Sequence, residues 1–597
     1  MTGSCAGSKR YWRGAAVLAA IACLSSLAAV AAEPSDPLRL VPPSANFVVK
    51  IERPRAIADF AVKLASRPEL EGFRGYRDYF ESTNYHLFRQ LVGHFERELG
   101  NDWANLLDEL AGDGIVAAFK IEKNPPAPTL VIIQGRDPKL TEKFFRKAVG
   151  IVEQELARQG IHDAYLTETY RGIEVLHRGE DLHVALLGSA IALSNVRERL
   201  HSAIDLYLDP SKESLLKKKT LVDARAYVPT DALAWTWMDL ETAHKNPELQ
   251  PLFTLPANFF PIHVAFGGLI DSLRRSPFLV AAVREDHGTA TLSLRLPGGS
   301  AGMHDLVRGH VPPDRQPGAQ PLLAPAGTLY SASYYLDVAS FWKQRAVLLP
   351  KDQLKRIEEF DKNSKLILYG TQFSQFLEYA GARQRFVVAQ QEEKGYSIKP
   401  EDRQPAFALV LQMRDPDAFA KAVDGPLRGL AFLAGLKAPM SQFIEEHGES
   451  KSKIIGYRFV ENDGNKALGD GILFNFSPSR VRVGNQYVLS STVELARQLV
   501  DELEKEANSR EQTVSQSAST ADGTILQSRL SFSGVSNYLG AAKKQLITQN
   551  MLEQGNSPEE AEKEVSLFLQ LLDHLGRVET TNRYTPDQYQ FDLRISP

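Results

Sequence analysis

Apolar positions along the chain follow two rhythms. Leu292, Leu294 and Leu296 alternate with Thr291, Ser293 and Arg295, the pattern of a strand with one wet face. Elsewhere the spacing is helical. Phe144, Phe145, Ala148, Ile151, Val152 and Leu156 fall on one face of a predicted helix that Asp137 caps, Pro138 opens and Gly160 ends. Asp415, Pro416, Phe419, Ala422 and Val423 replay that start. Ser557 to Glu560 spells a capping box ahead of Val565, Phe568, Leu571, Leu572 and Leu575, with Gly576 as the stop. These elements predict an α+β fold of mostly antiparallel, curved sheets with amphipathic helices packed on one face of each.

The same spellings recur. Pro43–Glu52 is answered by Pro325–Asp337, each a proline-led turn entering a strand. Pro128–Pro138 is answered by Pro405–Pro416, each an apolar strand stopping at Arg-Asp-Pro. Gly188–Glu198 corresponds to Gly484–Glu494, and Leu292–Leu296 to Phe591–Ile595. The four matches are collinear, displaced by roughly 280 residues early in the chain and roughly 300 late. Two related halves follow, 33–297 and 322–597, joined by a linker over 298–321 that is rich in Pro and Gly. A weaker echo, Val228–Ala232 of Val41–Ala45, suggests that each half is itself built from two strand–helix modules.

The front of the chain has a different character. Lys9, Arg10 and Arg13 precede an Ala-rich run from Gly14 to Ala32, with Val30 and Ala32 at the −3 and −1 places before Glu33. Residues 1–32 therefore read as a cleavable secretory signal peptide, and an uncleaved signal anchor is the alternative. Cleavage changes the composition. Removing three basic and no acidic residues takes 69 Lys+Arg against 73 Asp+Glu to 66 against 73, a net charge of −7. Cys5 and Cys23, the two cysteines, leave with the signal. Such a chain has no disulfide, thiol nucleophile or Cys-ligated metal, and its acidity gives no global attraction to nucleic acid. The expected address is the periplasm or cell envelope of a bacterium, with membrane contact only through the N-terminal segment if it is retained.

The proline-led strand, the Arg-Asp-Pro helix start and the Gly-x-x-apolar-apolar-Leu-Ser strand resemble a group of uncharacterised exported bacterial proteins that carry a duplicated domain of unknown function. The resemblance spans nearly all of the mature chain. It implies export and architecture, and it supplies no catalytic residues.

Chemistry is sparse. There is no Gly-x-Ser-x-Gly elbow, His-Glu-x-x-His pair, phosphate loop or complete dinucleotide fingerprint. Gly112–Gly114 and Gly469–Gly471 suit tight turns better than anion sites, and Glu461–Asn465 lacks the distal acid of a calcium loop. His304, Asp305, His310 and Asp314 gather in the linker without a scaffold to hold a metal. His86, His94 and Glu96 lie on a predicted helix, with the two histidines about 80° apart around it. His177 and His183 flank a hairpin turn, Lys217–Thr220 is a short positive run, and Asp239 and Glu241 follow Trp235 and Trp237. No catalytic, cofactor or metal site is expected.

One segment stands apart. Pro251–Ile262 is apolar and aromatic and holds three prolines, which exclude a regular helix or central strand through it. Leu252, Phe253, Leu255, Phe259, Phe260 and Ile262 form a candidate apolar contact surface for lipid, a hydrophobic ligand or a protein partner. Leu430–Leu436 raises the same question, but reads as a buried helix. The functional expectation is a non-catalytic binding or scaffold protein of the envelope, partnered by a protein or hydrophobic ligand. A periplasmic lipid carrier is the first alternative, and a hydrolase with a site assembled from distant residues is the second.

Overall fold

The computed structural model describes residues 36–597 apart from 69, 122–126, 161–164, 255–259, 314–315, 317, 393–402, 468–471 and 514–522. The chain divides into two compact units. Residues up to 250 with 276–285 make the first, and 251–275 with 286–597 make the second.

The first unit holds β1 (Phe47–Ile51), β2 (Gly114–Phe119), β3 (Thr129–Gln134), β4 (Leu166–Tyr170), β5 (Ile173–Arg178), β6 (Leu182–Leu187), β7 (Ala190–Ser194), β8 (Ala234–Asp239) and β9 (Phe278–Asp286). They pair antiparallel in the order β4-β5-β6-β7-β3-β2-β1-β8-β9. Helices α1 (Pro54–Ala65), α2 (Arg74–Phe80), α3 (Thr83–Leu99) and α4 (Trp103–Ala111) are inserted between β1 and β2, followed later by α5 (Pro138–Arg158), α6 (Arg197–Leu208), α7 (Lys219–Arg225) and α8 (Leu240–Ala243).

The sequence pattern predicts helices on one face of each sheet, but the structure places them on both. In β3, Leu130 and Ile132 join a core with α6 and α7, whereas Val131 and Ile133 point the other way and meet α5. Neighbouring β7 divides likewise, with Ala190 and Ala192 on one side and Ile191 and Leu193 on the other. An apolar run that is continuous rather than alternating needs cover on both sides.

The second unit holds α9 (Phe260–Arg275), then β10 (Thr289–Leu296), β11 (Thr328–Tyr335), β12 (Ala380–Ala389), β13 (Ala406–Met413), β14 (Met440–His447), β15 (Ser452–Phe459), β16 (Ser479–Val483), β17 (Gln486–Ser490), β18 (Thr524–Ser531), β19 (Arg577–Tyr584) and β20 (Tyr589–Ser596). Their antiparallel order is β14-β15-β16-β17-β13-β12-β11-β18-β19-β20-β10. Between β11 and β12 come α10 (Val338–Lys343), α11 (Arg345–Leu348), α12 (Lys351–Ile367) and α13 (Phe373–Tyr379). They are followed by α14 (Pro416–Gly435), α15 (Asp463–Ala467), α16 (Val493–Thr513), α17 (Phe532–Ala541), α18 (Lys543–Gln554) and α19 (Pro558–Leu575). Here too the cover is two-sided. Val488 of β17 packs with α16, and its neighbours Tyr487 and Leu489 pack with Phe419 of α14.

Helix starts follow their local chemistry. Asp137 accepts from the amides of Lys139 and Leu140, Asp415 from that of Ala418, and Ser557 with Glu560 closes a capping box.

The stretch expected as a free linker is packed. Met303, Val307 and His310 are buried, and the 3-10 turn Asp305–His310 lies against α9 and α10. A Cβ on Gly268 would meet the His310 ring at 2.9 Å, and one on Gly309 would meet Phe341 at 2.5 Å. Burial holds the His310 imidazole down to a pKa of about 4, opposed only by a 3.4 Å contact of its Nε2 with the His263 carbonyl. The folded ring is neutral, so the unfolded chain alone takes up a proton as pH falls through the ordinary range. His310 therefore contributes stability above pH 6.5 that is lost towards pH 4, about 3 kcal/mol in all. Urea titrations across that range should show the stability gap between the wild type and His310→Gln shrinking by about that amount; a constant gap would refute the assignment. Gly268→Ala should cost about 1–3 kcal/mol in the same assay, because His310 has nowhere to retreat.

Candidate functional site

Side chains that sequence singles out for chemistry are mostly engaged in structure. Asp239 is buried, caps α8 through Thr242, and takes Lys218 Nζ at 2.7 Å. Lys218 also donates to the carbonyls of Pro43 and Ala45 and lies over the Trp237 ring, while Lys219 pairs with Asp223. Glu241 is exposed in the first turn of α8. His177 and His183 stand opposite each other on β5 and β6 with stacked rings, and His183 Nε2 bonds the Glu180 carbonyl. On α3, His94 packs edge-on to Phe95, His86 lies edge-on to Tyr85, and Glu96 accepts from the Trp103 amide.

In the former linker His304 Nδ1 accepts from the Leu306 amide and Asp305 pairs with Arg308, away from buried His310. Asp314 lies outside the described residues, as do 469–471. Around 461–465 the structure has the start of the short helix α15 where a solvated turn is expected: Asn462 accepts from the Asn465 amide as a helix cap does, and Asn465 donates to the carbonyls of Pro439 and Val460. Gly112–Gly114 is a turn held by Arg136 on Asp113 and on the Gly112 carbonyl. Among the described residues no three His, Cys, Asp or Glu side chains gather as metal ligands.

The candidate apolar segment is divided. Phe253 is buried in a 3-10 turn, Gln250–Phe253. Phe260 and Ile262 are half-buried in the first turn of α9, where Pro261 is tolerated. Phe260 meets Trp342 edge-on at 6.0 Å between ring centroids. Leu255 and Phe259 lie outside the described residues, and nothing is described of the Leu252 side chain.

Exposed apolar side chains sit elsewhere, many of them on helices. In the first unit they include Phe60 and Val62 of α1, Tyr79 of α2, and Leu87 and Phe88 of α3. In the second unit a group of them lies at the ends of two helices. The end of α14, expected to be buried, instead exposes Leu430, Phe432, Leu433 and Leu436, with Phe432 at 69%. The end of α12 exposes Leu366 at 86%, together with Ile367 and Tyr369. A turn at Tyr369 and Gly370, both at positive φ, folds the Tyr369 ring onto α14. A Cβ on Gly425 would come within 2.8 Å of that ring, and one on Gly429 within 3.1 Å of its hydroxyl. The ring joins the two helix ends into one patch. Their sequences alone signal it weakly, because an apolar helix end usually means core.

The second unit also carries a half-open cleft of about 490 Å³, lined by Leu323, Leu329, Ser331, Arg529, Ser533 and Arg577 among others. Ser331 is buried there, and its hydroxyl meets no partner among the described residues. Near a smaller cleft of about 350 Å³, burial opposes ionisation of Glu504, but hydrogen bonds from Ser450 and the amides of Glu449 and Ser450 hold its pKa low. That carboxylate is a loop anchor for Glu449 and Ser450 and is not poised as an acid.

No protein-family model matches the chain, and no curated relative matches it. Among solved structures it is similar to crystal forms I, III and IV of TP0453, at TM-scores of 0.24, 0.25 and 0.23 and identities of 12%, 10% and 10%. The matches cover 45%, 47% and 44% of this chain and 81%, 89% and 80% of those chains. At these scores the likeness defines neither fold nor function.

The structural account of Asp239 has a measurable consequence. Lys218→Met should destabilise the protein by about 3 kcal/mol or more, since a buried carboxylate loses its cation. Lys212→Met, at the more exposed pair with Asp205, should cost under about 1 kcal/mol. Equal costs in urea denaturation would contradict the structural role.

Proposed function

We propose that the protein is an exported, non-catalytic binding or scaffold protein of the bacterial cell envelope. The observation that carries this reading is the apolar surface left exposed at the ends of α12 and α14. Burying four Leu or Phe side chains there makes roughly 6–12 kcal/mol available to a partner before the costs of association. The polar candidates weighed from sequence serve caps, turns and ion pairs, which favours binding over catalysis as the role. Export rests on the signal pattern of residues 1–32, which lie outside the described residues.

We further propose that the chain arose by duplication of a ten-strand unit. Strands β1–β10 and β11–β20 pair alike: β4-β5-β6-β7-β3-β2-β1-β8 matches β14-β15-β16-β17-β13-β12-β11-β18 position for position. Local bonds match as well. Ser194 and Ser490 each bond the amide and carbonyl two residues on, and Asn195 and Ser491 each accept from the first amide of β3 or the second of β13. The proline-led turns before β1, β8 and β11 each close an amide onto a proline carbonyl, at Pro42, Pro229 and Pro325. Laying Leu292–Leu296 on Phe591–Ile595 makes Ser293 equivalent to Asp592, and these two stand opposite each other where β10 pairs with β20.

The second reading, a carrier of a small hydrophobic ligand, is favoured by the 490 Å³ cleft with its partnerless Ser331 hydroxyl. Native mass spectrometry of protein purified from its own host separates these readings. A partner complex lost in Leu430→Ser/Phe432→Ser supports the first. A small-molecule adduct lost in Ser331→Leu supports the second. Hydrolytic turnover abolished by one substitution would overturn both. The mass of the exported form should correspond to a chain starting at Glu33; a mass retaining residues 1–32 would contradict cleavage.

A further inference from the structure

We infer that the end of α14, with the α12 turn packed on it, docks on the surface of an anionic lipid bilayer. The inference rests on the reading of this patch as a binding surface and names its occupant.

Three observations select lipid. The first is shape. The helix presents one apolar face: at 100° per residue, Leu430, Phe432, Leu433 and Leu436 lie at about 0, 200, 300 and 240° around the axis, within one arc of about 160°. A one-sided apolar face of that width is the one an interfacial helix lays into a leaflet while its other side stays in water. The second is charge. Lys362, Lys365, Arg428 and Lys437 fringe the patch and are exposed, and no acidic residue occurs from Lys362 to Thr371 or from Gly425 to Ala438. This ring of cations stands on a chain that is acidic overall, and each is worth about 1 kcal/mol beside an anionic leaflet. The third is the backbone. The Leu436 amide bonds the Phe432 carbonyl, so the helix continues its own hydrogen bonding into the tip. Residues 430–436 run for roughly 10 Å along the axis, about two turns of one apolar face. Tyr369, aromatic with a polar end, stands where interfacial aromatics do. No described helix is long and apolar enough to cross a membrane, so the contact is with one surface.

The test uses the full chain with Cys5 and Cys23 changed to Ser and a polarity-sensitive fluorophore on Leu433→Cys, or on Glu213→Cys as control. Vesicles of phosphatidylcholine, with and without phosphatidylglycerol, are titrated in. The expected result is a blue shift at position 433 on the phosphatidylglycerol vesicles only, with none at 213. Lys362→Glu/Lys365→Glu should weaken that response roughly tenfold or more, with circular dichroism and melting confirming that each variant folds. Sedimentation with vesicles while the 433 probe stays in water assigns membrane contact to the N-terminal segment and overturns the inference. So does an equal shift on phosphatidylcholine alone, or a concentration-dependent shift without vesicles, which assigns the patch to a second copy. If the vesicle response fails but the native complex still depends on Leu430 and Phe432, the binding reading stands and only its lipid occupant falls.

Discussion

All five residues of β7 are buried, and its partner β3 alternates between two different cores. A strand with no wet face needs cover on both sides, and that requirement orders the rest of each unit. In the first unit the chain supplies α6 after β7 for one side and α5 after β3 for the other. In the second, α16 follows β17 and α14 follows β13 in the same places. The Arg-Asp-Pro spelling matters for this reason: it starts α5 and α14 immediately where their strands stop. Asp137 and Asp415 fix those starts by capping.

Two-sided cover also explains where apolar surface is left over. A helix is held to its sheet only as far as the strands reach. Phe419 and Ala422 of α14 lie over β13 and β17 and are buried, but the helix runs on to Gly435. Its last turns leave Leu430, Phe432 and Leu433 exposed on one face. Tyr369 covers them only at Gly425 and Gly429. Apolar residues left exposed beyond the reach of the sheet serve a contact outside the chain better than they serve the fold.

Much of this was legible from the residues and some was not. Caps, prolines and stop glycines fix element ends locally, so α5, α14 and α19 began where Asp137, Asp415 and Ser557 indicated. The alternation of Leu292–Leu296 describes β10, and extending it to β3 and β7 predicts cover on one face only. The unbroken Ala190–Leu193 run was the available signal for two. Leu430–Leu436 was misplaced in the core because burial depends on what lies opposite a helix, which its own sequence does not record. His310 shows the converse. A histidine in a Pro/Gly-rich stretch reads as solvated, yet glycines at 267, 268 and 309 let the turn sit close against α9 and Phe341. Segment 251–262 was split for a similar reason: Pro261 forbids a helix interior but suits the first turn of one.

The account turns on the end of α14 being apolar and in water while its beginning is core. Hydroxyl-radical footprinting of the native full chain, read by peptide mass spectrometry, measures this on one helix. Phe432 should be oxidised heavily and Phe419 should be spared. Comparable protection of both phenylalanines would show that the helix end is buried within the protein, and would remove the surface on which the functional reading depends.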